Sequence, residues 1–326
     1  MTWNYLRGIS KESKKNPSVS VALCTYNGAR FLPAQLDSIL AQHRPADEII
    51  IVDDCSTDGT LDIIREYANR TDTIRYFVND RNLGYVQNFS KATSKTGGDF
   101  VALSDQDDIW TPDHLEVLLN SIGENAVCVG DALMINAEGD SLGMNFSDIK
   151  QNYYIPEGNI PKAYRIIYNY NPYQRASMLI NRKWVEDYLP FPAEAGFHDT
   201  FLAGCACFTQ GLSVIPYVIT HYRMHEGQVS SKWKVRVFDE VRHKHHHICF
   251  PSKLILIDAL MKKAPAISSE ALAFIEEFHH ILELDRAGRK KRATVLRILN
   301  QHYKEIHSCK TEKYIVLRSL HFLLAL

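Results

Sequence analysis

Short apolar runs alternate with amphipathic helical segments over roughly the first third of the chain, and this alternation limits the fold more than any other feature. Each run has the length of a strand, and each segment that follows carries apolar residues at helical spacing. The four predicted strands contain, in order, the sequences SVSVALCT, DEIIIVDD, TIRYFVN and DFVALSD. A repeated strand–helix pattern predicts a mostly parallel sheet with helices on both faces. We therefore predict an α/β fold.

The pattern loosens after Ile135. Further strands are predicted at ASMLIN and SVIPYVITHYRMH, a helix is predicted to begin near His198, and everything from about Val229 onward has a helical pattern. We accordingly predict these parts: a polar N-terminal extension (1–16), an α/β domain (17–228) with a first half at about 17–135 and a second half at about 136–228, and a basic helical C-terminal region (229–326).

Charge is divided unevenly along the chain. Residues 1–226 hold 19 Lys and Arg against 28 Asp and Glu, a net of −9, whereas residues 227–326 hold 18 against 10, a net of +8. A basic, partly amphipathic segment suits an anionic membrane surface or another acidic partner. Packing of the same segment on the acidic domain is the alternative.

Several features favour a cytoplasmic location. The N-terminus lacks the apolar core of a signal peptide, and no apolar run reaches the roughly 18 residues of a membrane span. The seven cysteines are odd in number and show no C-x₂-C spacing, which favours reduced thiols over a zinc site. We expect a cytoplasmic protein that the C-terminal region holds peripherally on the inner face of the plasma membrane, and we expect no nucleic-acid partner.

Three aspartates follow the fourth predicted strand: Asp105, Asp107 and Asp108. Carboxylates so close repel one another, and their burial is costly unless a positive charge lies among them. Mg²⁺ and Mn²⁺ prefer carboxylate oxygens and commonly join them to substrate phosphates. We therefore predict a divalent-metal site for a diphosphate. The alternative is an acidic helix start, in which Asp108 or Thr111 caps the next helix, a role that suits Asp108 itself better than metal binding.

Polar residues also follow the first two predicted strands. Thr25, Tyr26 and Asn27 come after the first strand, and Asp53 and Asp54 come after the second. Ligands of open α/β sheets bind beyond the carboxyl ends of the strands, where an aspartate can accept a hydrogen bond from a base or a ribose hydroxyl. The alternative is that the two aspartates are ordinary turn residues.

Taken together, these motifs resemble the family 2 glycosyltransferases, and SDQDDIW is most similar to bacterial surface-polysaccharide members often called rhamnosyltransferases. The segments that carry the resemblance, over about Val19 to Thr111, are VSVALCTYNGARFLPAQLDSILAQ, EIIIVDDCSTDGT, RNLGYVQNFSKA and DFVALSDQDDIW. The resemblance implies the GT-A fold, which is Rossmann-like, with a helical C-terminal region after it. It also implies a nucleotide-diphospho-sugar donor, a divalent metal and inversion at the anomeric carbon.

The resemblance also implies roles for single residues. The donor nucleoside would be held at Thr25, Tyr26, Asn27, Asp53 and Asp54. Metal binding would fall to Asp107, with Asp105 near both the ribose and the metal. In the family-like segment THYRMH, Arg223 would neutralise phosphate and His225 would complete the metal shell, although a lone histidine is more often structural.

An inverting transfer needs a base that takes the proton of the acceptor hydroxyl. The family places this base at a helix start in the second half of the domain, and Asp199 in GFHDTFLAGCACF matches that position. A helix N-terminus favours the ionised carboxylate. The alternative is that Asp199 only caps the helix.

We therefore predict a hexosyltransferase, with a rhamnosyltransferase as one form, that acts in bacterial envelope polysaccharide synthesis. The expected donor is dTDP-rhamnose or, second, a UDP-hexose, and the expected acceptor is a glycan or lipid-linked oligosaccharide. Two alternatives stay open. One is a non-catalytic relative that binds nucleotide sugars. The other is a metal-dependent phosphohydrolase or nucleotidyltransferase. Nucleotidyltransferases of this kind carry a Gly-rich loop with Arg or Lys after the first strand, whereas TYNGARF has one Gly and one Arg, which disfavours this alternative.

Overall fold

The computed structural model describes residues 16–149, 177–226 and 249–262, together with a few single positions between 158 and 276. The predicted N-terminal extension and most of residues 229–326 lie outside these ranges, so membrane contact by the C-terminal region stays a prediction. Among the described residues, no helix has the length and apolar composition that crossing a bilayer requires.

Strands and helices alternate through the first part of the chain as predicted. The strands are β1 (Val19–Thr25), β2 (Glu48–Asp53), β3 (Ile74–Val78), β4 (Phe100–Ser104), β5 (Ile109–Trp110), β6 (Val127–Ile135), β7 (Ser141–Asn145), β8 (Met178–Asn181) and β9 (Leu212–Arg223). The helices are α1 (Leu32–Leu40), α2 (Thr60–Ala68), α3 (Tyr85–Ser94), α4 (His114–Ile122), α5 (Phe146–Ile149), α6 (Arg182–Val185), α7 (His198–Phe208) and α8 (Cys249–Met261). Strands β8 and β9 and helix α7 confirm the two strands predicted at ASMLIN and SVIPYVITHYRMH and the helix predicted near His198.

One mixed sheet joins all nine strands. Its order is β3-β2-β1-β4-β8-β6-β9-β5, with β7 beside β6. The strands β3, β2, β1 and β4 are parallel, β8 runs antiparallel to β4 and β6, and β9 is parallel to β6. Strand β5 from the first half pairs with β9 from the second. The predicted halves, 17–135 and 136–228, are therefore interleaved in a single sheet.

Two apolar clusters cover the two faces of the sheet. One face packs against α1, α2 and α4 through residues such as Leu36, Ile64 and Leu118. The opposite face packs against α3, α7 and α8 through residues such as Phe89 and Leu202. Each fully buried side chain of this kind contributes about 1.5–3 kcal/mol to stability. Helices on both faces of the sheet confirm the predicted fold class.

The alternative in which Thr111 caps helix α4 is wrong. The chain remains extended through β5, where the Thr111 N–H donates to the Ile219 carbonyl at 3.0 Å. The helix therefore begins at His114, with Asp113 at the N-cap position. Capping by Asp108 is also wrong, because its Oδ1 accepts a hydrogen bond from the Arg223 N–H at 2.9 Å.

Stability is expected to depend on pH through His114. Its ring is fully buried against Trp110, and its Nδ1 lies 2.8 Å from the Ile219 carbonyl oxygen. Burial lowers the pKa of His114 from its ordinary value of 6.5 to about 3. The unfolded chain therefore binds a proton in a range where the folded protein does not. The stability that this neutral ring contributes is present above pH 6.5 and is lost as the pH falls toward 3.

We expect wild type to lose about 2 kcal/mol more unfolding free energy between pH 6.5 and 5 than His114→Asn does. Urea unfolding at both pH values measures this difference. Equal losses in the two proteins would show that another group governs the acid sensitivity.

Candidate functional site

The polar ends of three strands lie side by side at one edge of the sheet. Thr25 at the end of β1 is in register with Asp53 at the end of β2, and Leu23 of β1 is in register with Ser104 at the end of β4. The residues that follow these strands are therefore neighbours, as the parallel strand order predicted.

Asp53 is fully buried and connects two loops at this edge. Its Oδ2 accepts hydrogen bonds from Thr25 Oγ1 at 2.7 Å and from Ser56 Oγ at 2.6 Å. Its Oδ1 accepts one from the Ser56 N–H at 2.8 Å. These bonds hold the ends of β1 and β2 together. Nucleoside contact by Thr25 or Asp53 stays a prediction, and their mutual bond favours a supporting role for both.

Asp54 is almost fully buried and organises the loop between β3 and α3. Its Oδ1 accepts from Asn79 Nδ2 at 2.7 Å and from the Leu83 N–H at 2.8 Å, and its Oδ2 accepts from the Gly84 N–H at 2.9 Å. This carboxylate therefore fixes the loop that leads into α3. A nucleoside contact by Asp54 stays a prediction.

Asp54→Asn is expected to lower the unfolding free energy by about 2–3 kcal/mol, because a neutral amide cannot accept all three hydrogen bonds and leaves buried donors without partners. Urea unfolding measures the change. Asp62→Asn is the matched control, because 84% of the Asp62 side chain is exposed. Equal stability of the two variants would contradict the assigned role of Asp54.

Tyr26 and Asn27 form the loop after β1. The Tyr26 residue is 47% exposed, so its ring can meet a ligand. Asn27 has a φ of 48°, a left-handed conformation that asparagine tolerates better than most residues. Its N–H donates to Ser56 Oγ, and its Oδ1 accepts from the Thr57 N–H, each at 2.8 Å. Asn27 thus shapes the loop that presents Tyr26.

Asp107 and His225 come together from β4 and β9. Asp107 Oδ2 lies 2.8 Å from His225 Nε2, and only 15% and 14% of the two side chains are exposed. Within the residues that the structure describes, no group of three or more His, Cys, Asp or Glu side chains forms a metal cage. The described chain therefore offers a pair of donors for a cation, with further ligands left to a substrate.

The pair fits a hard divalent cation. Adjacent ligands of an octahedral ion with bonds of about 2.1 Å are about 3 Å apart, close to the distance between these two atoms. Carboxylate suits Mg²⁺ and Mn²⁺, and imidazole suits several first-row metals. Asp105 is half-buried directly after β4, and its contact with a metal or ribose stays a prediction.

Arg223 binds the backbone of the turn that carries Asp107. Its guanidinium donates to the backbone carbonyls of Asp107 at 2.8 Å, Ala137 at 2.9 Å and Asn136 at 3.3 Å. The side chain thus joins the acidic turn after β4 to the turn between β6 and β7. Phosphate binding by Arg223 stays a prediction that these contacts do not favour, because its Nε and Nη1 already donate to backbone carbonyls.

Two residues of the site had no signal in the sequence that singled them out. The Phe31 ring lies 4.6 Å from the His225 ring and 5.0 Å from the Arg223 guanidinium carbon, so it packs against both. Gln106 lies between the two candidate metal ligands of the acidic turn, and its side-chain amide bonds to the backbone of Tyr26. Both contacts join residues far apart in sequence, which local pattern cannot reveal.

Asp199 lies in the first turn of α7, as predicted. Its Oδ1 accepts hydrogen bonds from the Thr200 N–H at 2.6 Å and Thr200 Oγ1 at 3.3 Å, and the residue is half-buried. The neighbouring His198 ring is buried and stacks on Phe89 of α3 at 4.3 Å. Asp199 thus sits on a helix start whose position is set by packing, and its role as base stays a prediction.

Helix α3 joins the start of α7 to the loop that Asp54 holds. The Tyr85 hydroxyl donates to the Gly196 carbonyl, and Gln87 Nε2 donates to the Phe191 carbonyl at 2.7 Å. The Phe191 N–H in turn donates to Ser90 Oγ at 2.8 Å. The same helix begins at the loop that Asp54 holds, so both candidate regions are anchored to α3.

Comparisons with known proteins point to one family. Residues 20–189, just over half of the chain, match the family model described as Glycosyl transferase family 2. TuaG of Bacillus subtilis, named for teichuronic acid biosynthesis, is 38% identical over 110 residues, which are 34% of this chain and 44% of TuaG. EpsH of the same organism, named as a glycosyltransferase, is 28% identical over 242 residues, which are 69% of this chain and 66% of EpsH.

A solved structure shows the same fold. The mannosyltransferase PcManGT from Pyrobaculum calidifontis, in complex with GDP-Man and Mn²⁺, aligns with a TM-score of 0.54 at 18% identity. The alignment covers 93% of this chain and 90% of PcManGT. The likeness confirms the predicted GT-A architecture.

Proposed function

The chain belongs to glycosyl transferase family 2, and from that premise we propose that it transfers a sugar from a nucleoside-diphospho-sugar to a glycan acceptor, with inversion at the anomeric carbon. The observation that carries the proposal is the Asp107–His225 pair, in which Asp107 lies on the acidic turn that Gln106 joins to the loop of Tyr26. That juxtaposition suits a ligand with a nucleoside at one end and a metal-bound diphosphate at the other.

The donor is held in two parts. The exposed ring of Tyr26 and its loop contact the nucleoside, while Asp53 and Asp54 hold that loop and its neighbour in place. Asp107 and His225 would hold Mg²⁺ or Mn²⁺, and Asp105 would contribute a further ligand. When bound, the cation offsets the charge that develops on the leaving nucleoside diphosphate.

The acceptor reacts at the start of α7. Asp199 takes the proton of the acceptor hydroxyl as that oxygen attacks the anomeric carbon from the side opposite the leaving group. The helix N-terminus favours the ionised carboxylate before the reaction. Bonds from α3 to residues 191 and 196 hold the segment before α7 in place. A fixed segment would help to orient the acceptor toward the donor.

The biological assignment rests on the relatives. TuaG is named for teichuronic acid biosynthesis, and the chain matches less than half of TuaG's length. We propose a role in bacterial envelope polysaccharide synthesis, with dTDP-rhamnose as the first donor to test, a UDP-hexose as the second, and a lipid-linked oligosaccharide as acceptor. This role places the protein in the cytoplasm, at the inner face of the membrane.

Calorimetry with UDP, dTDP and GDP, each with and without Mn²⁺, tests the donor site. GDP is included because PcManGT was solved with GDP-Man. We expect one nucleotide to bind tightly only with the metal. Absence of binding by all three under both conditions would remove the proposal.

Product analysis then separates the reaction classes. A glycosylated acceptor identifies transfer. Free phosphate identifies hydrolysis, and bound nucleotide with no product identifies a non-catalytic relative.

A further inference from the structure

We propose that Gln106 is a positioning residue that couples the nucleoside loop to the metal-binding turn, an inference that rests on the proposed function. Gln106 Oε1 accepts a hydrogen bond from the Tyr26 N–H at 2.8 Å, and its Nε2 donates to the Tyr26 carbonyl at 3.0 Å. One amide thus binds both backbone groups of the first residue after β1. The residue that makes this bond stands between Asp105 and Asp107.

The bond takes the place of strand pairing. Strands β1 and β4 are parallel neighbours, but their ladder ends at Leu23 and Ser104. Beyond that point the backbone of β4 turns away toward β5. The Gln106 amide supplies a donor and an acceptor to Tyr26 beyond the last pair of that ladder. This side chain therefore joins Tyr26 to the acidic turn where strand pairing no longer does.

Gly28 makes room for that side chain. A Cβ at position 28 would lie 2.1 Å from Gln106 Oε1, 2.3 Å from its Cδ and 3.0 Å from its Nε2. The three nearest atoms all belong to Gln106, and Gly28 does not have a left-handed φ. Glycine is therefore required here by the glutamine amide, not by the backbone conformation.

This geometry has a thermodynamic consequence. A nucleoside diphosphate contacts the Tyr26 loop with its nucleoside and the turn of Asp107 with its metal-bound phosphates. If Gln106 holds the Tyr26 loop and the Asp107 turn at the correct spacing, nucleoside binding at the loop favours metal binding at the turn. The coupling is reciprocal. Without Gln106 the loop and the turn can each still bind their part of the ligand, but ligand binding must then bring the loop and the turn to the correct spacing.

The experiment measures the factor by which Mn²⁺ raises the affinity for UDP, dTDP or GDP, whichever wild type binds, in calorimetric titrations. Couplings between sites are typically about 5- to 150-fold. We expect Gln106→Ala and Gln106→Met to lower the factor about 10-fold, with the metal-free affinity changed less than about 3-fold. Met keeps the length of the side chain but removes both hydrogen bonds.

A double-mutant cycle separates coupling from general damage to the fold. Gly28→Ala displaces the Gln106 amide, so we expect it to lower the factor in wild type and to leave it unchanged in the Gln106→Ala background. Gln210→Ala is the matched control, since this glutamine also bonds a distant carbonyl, that of Glu124 at 2.9 Å, but on another part of the surface. The control should keep the wild-type factor.

Three results would overturn the inference while the proposed function stands. The first is that Mn²⁺ raises the nucleotide affinity of Gln106→Ala as much as that of wild type. The second is that Gly28→Ala lowers this factor equally in wild type and in Gln106→Ala. The third is that Gln210→Ala lowers it as much as Gln106→Ala does. If Mn²⁺ does not change the nucleotide affinity of wild type, both the proposed metal site and the inference are overturned. The wild-type titration alone therefore distinguishes the two failures.

Discussion

Asp107→Ala is expected to abolish the Mn²⁺-dependent part of nucleoside diphosphate binding and to lower the transfer rate by about 100- to 1000-fold. The carboxylate supplies one of the two converging donors of the described site, with Oδ2 at 2.8 Å from His225 Nε2. Loss of a group that stabilises charge developing in the transition state has costs of that size. Calorimetry with and without Mn²⁺ and initial-rate measurements read the two effects separately.

Two companion variants sharpen this test. Asp62→Ala removes a carboxylate that is 84% exposed on α2, and it should behave as wild type. His225→Ala should weaken metal dependence while leaving the carboxylate in place. Retention of Mn²⁺-dependent binding by Asp107→Ala would show that the cation is held elsewhere.

Asp199→Asn is expected to lower the transfer rate by about 100- to 10,000-fold while donor binding stays unchanged. The amide keeps an oxygen that accepts the hydrogen bond from the Thr200 N–H, so the start of α7 should remain intact. It cannot take a proton at neutral pH, so the acceptor hydroxyl would attack without a base. Single-turnover rates at saturating donor measure the transfer step, and calorimetry on the same preparation measures donor affinity.

Asp187→Asn is the control for this change, because Asp187 is an exposed carboxylate on the nearby segment before α7. It should leave both rate and binding at wild-type values. If Asp199→Asn transferred sugar at the wild-type rate, Asp199 would be only a helix-capping residue and the base would be another group.

The position of the candidate site was predictable from the sequence because it follows from strand direction. Parallel strands bring their carboxyl ends to one edge, so Thr25, Asp53 and the aspartates after β4 had to be neighbours. Strand direction follows from patterns that repeat every two to four residues, and such patterns are visible in one sequence. The family resemblance implied a base at the start of α7, where Asp199 lies, and its role as base stays a prediction.

Contacts between distant segments were not predictable in the same way. The bond of Gln106 to Tyr26 and the packing of Phe31 on His225 depend on how loops fold over the edge. Strand β5 has two residues, too few for an alternating pattern, and its pairing with β9 moved the start of α4 to His114. Tertiary pairing thus overrode a local capping signal at Thr111.

The interleaved strand order also matters while the chain is being synthesised. The block β3-β2-β1-β4 is complete once residue 104 has left the ribosome, but the partner of β4 is β8, whose residues 178–181 emerge much later. Until then β4 presents an unpaired apolar edge, the kind of surface that recruits other strands. The edge of β4 stays open until β8 emerges, more than 70 residues after Ser104, and chaperone protection would matter most in that period.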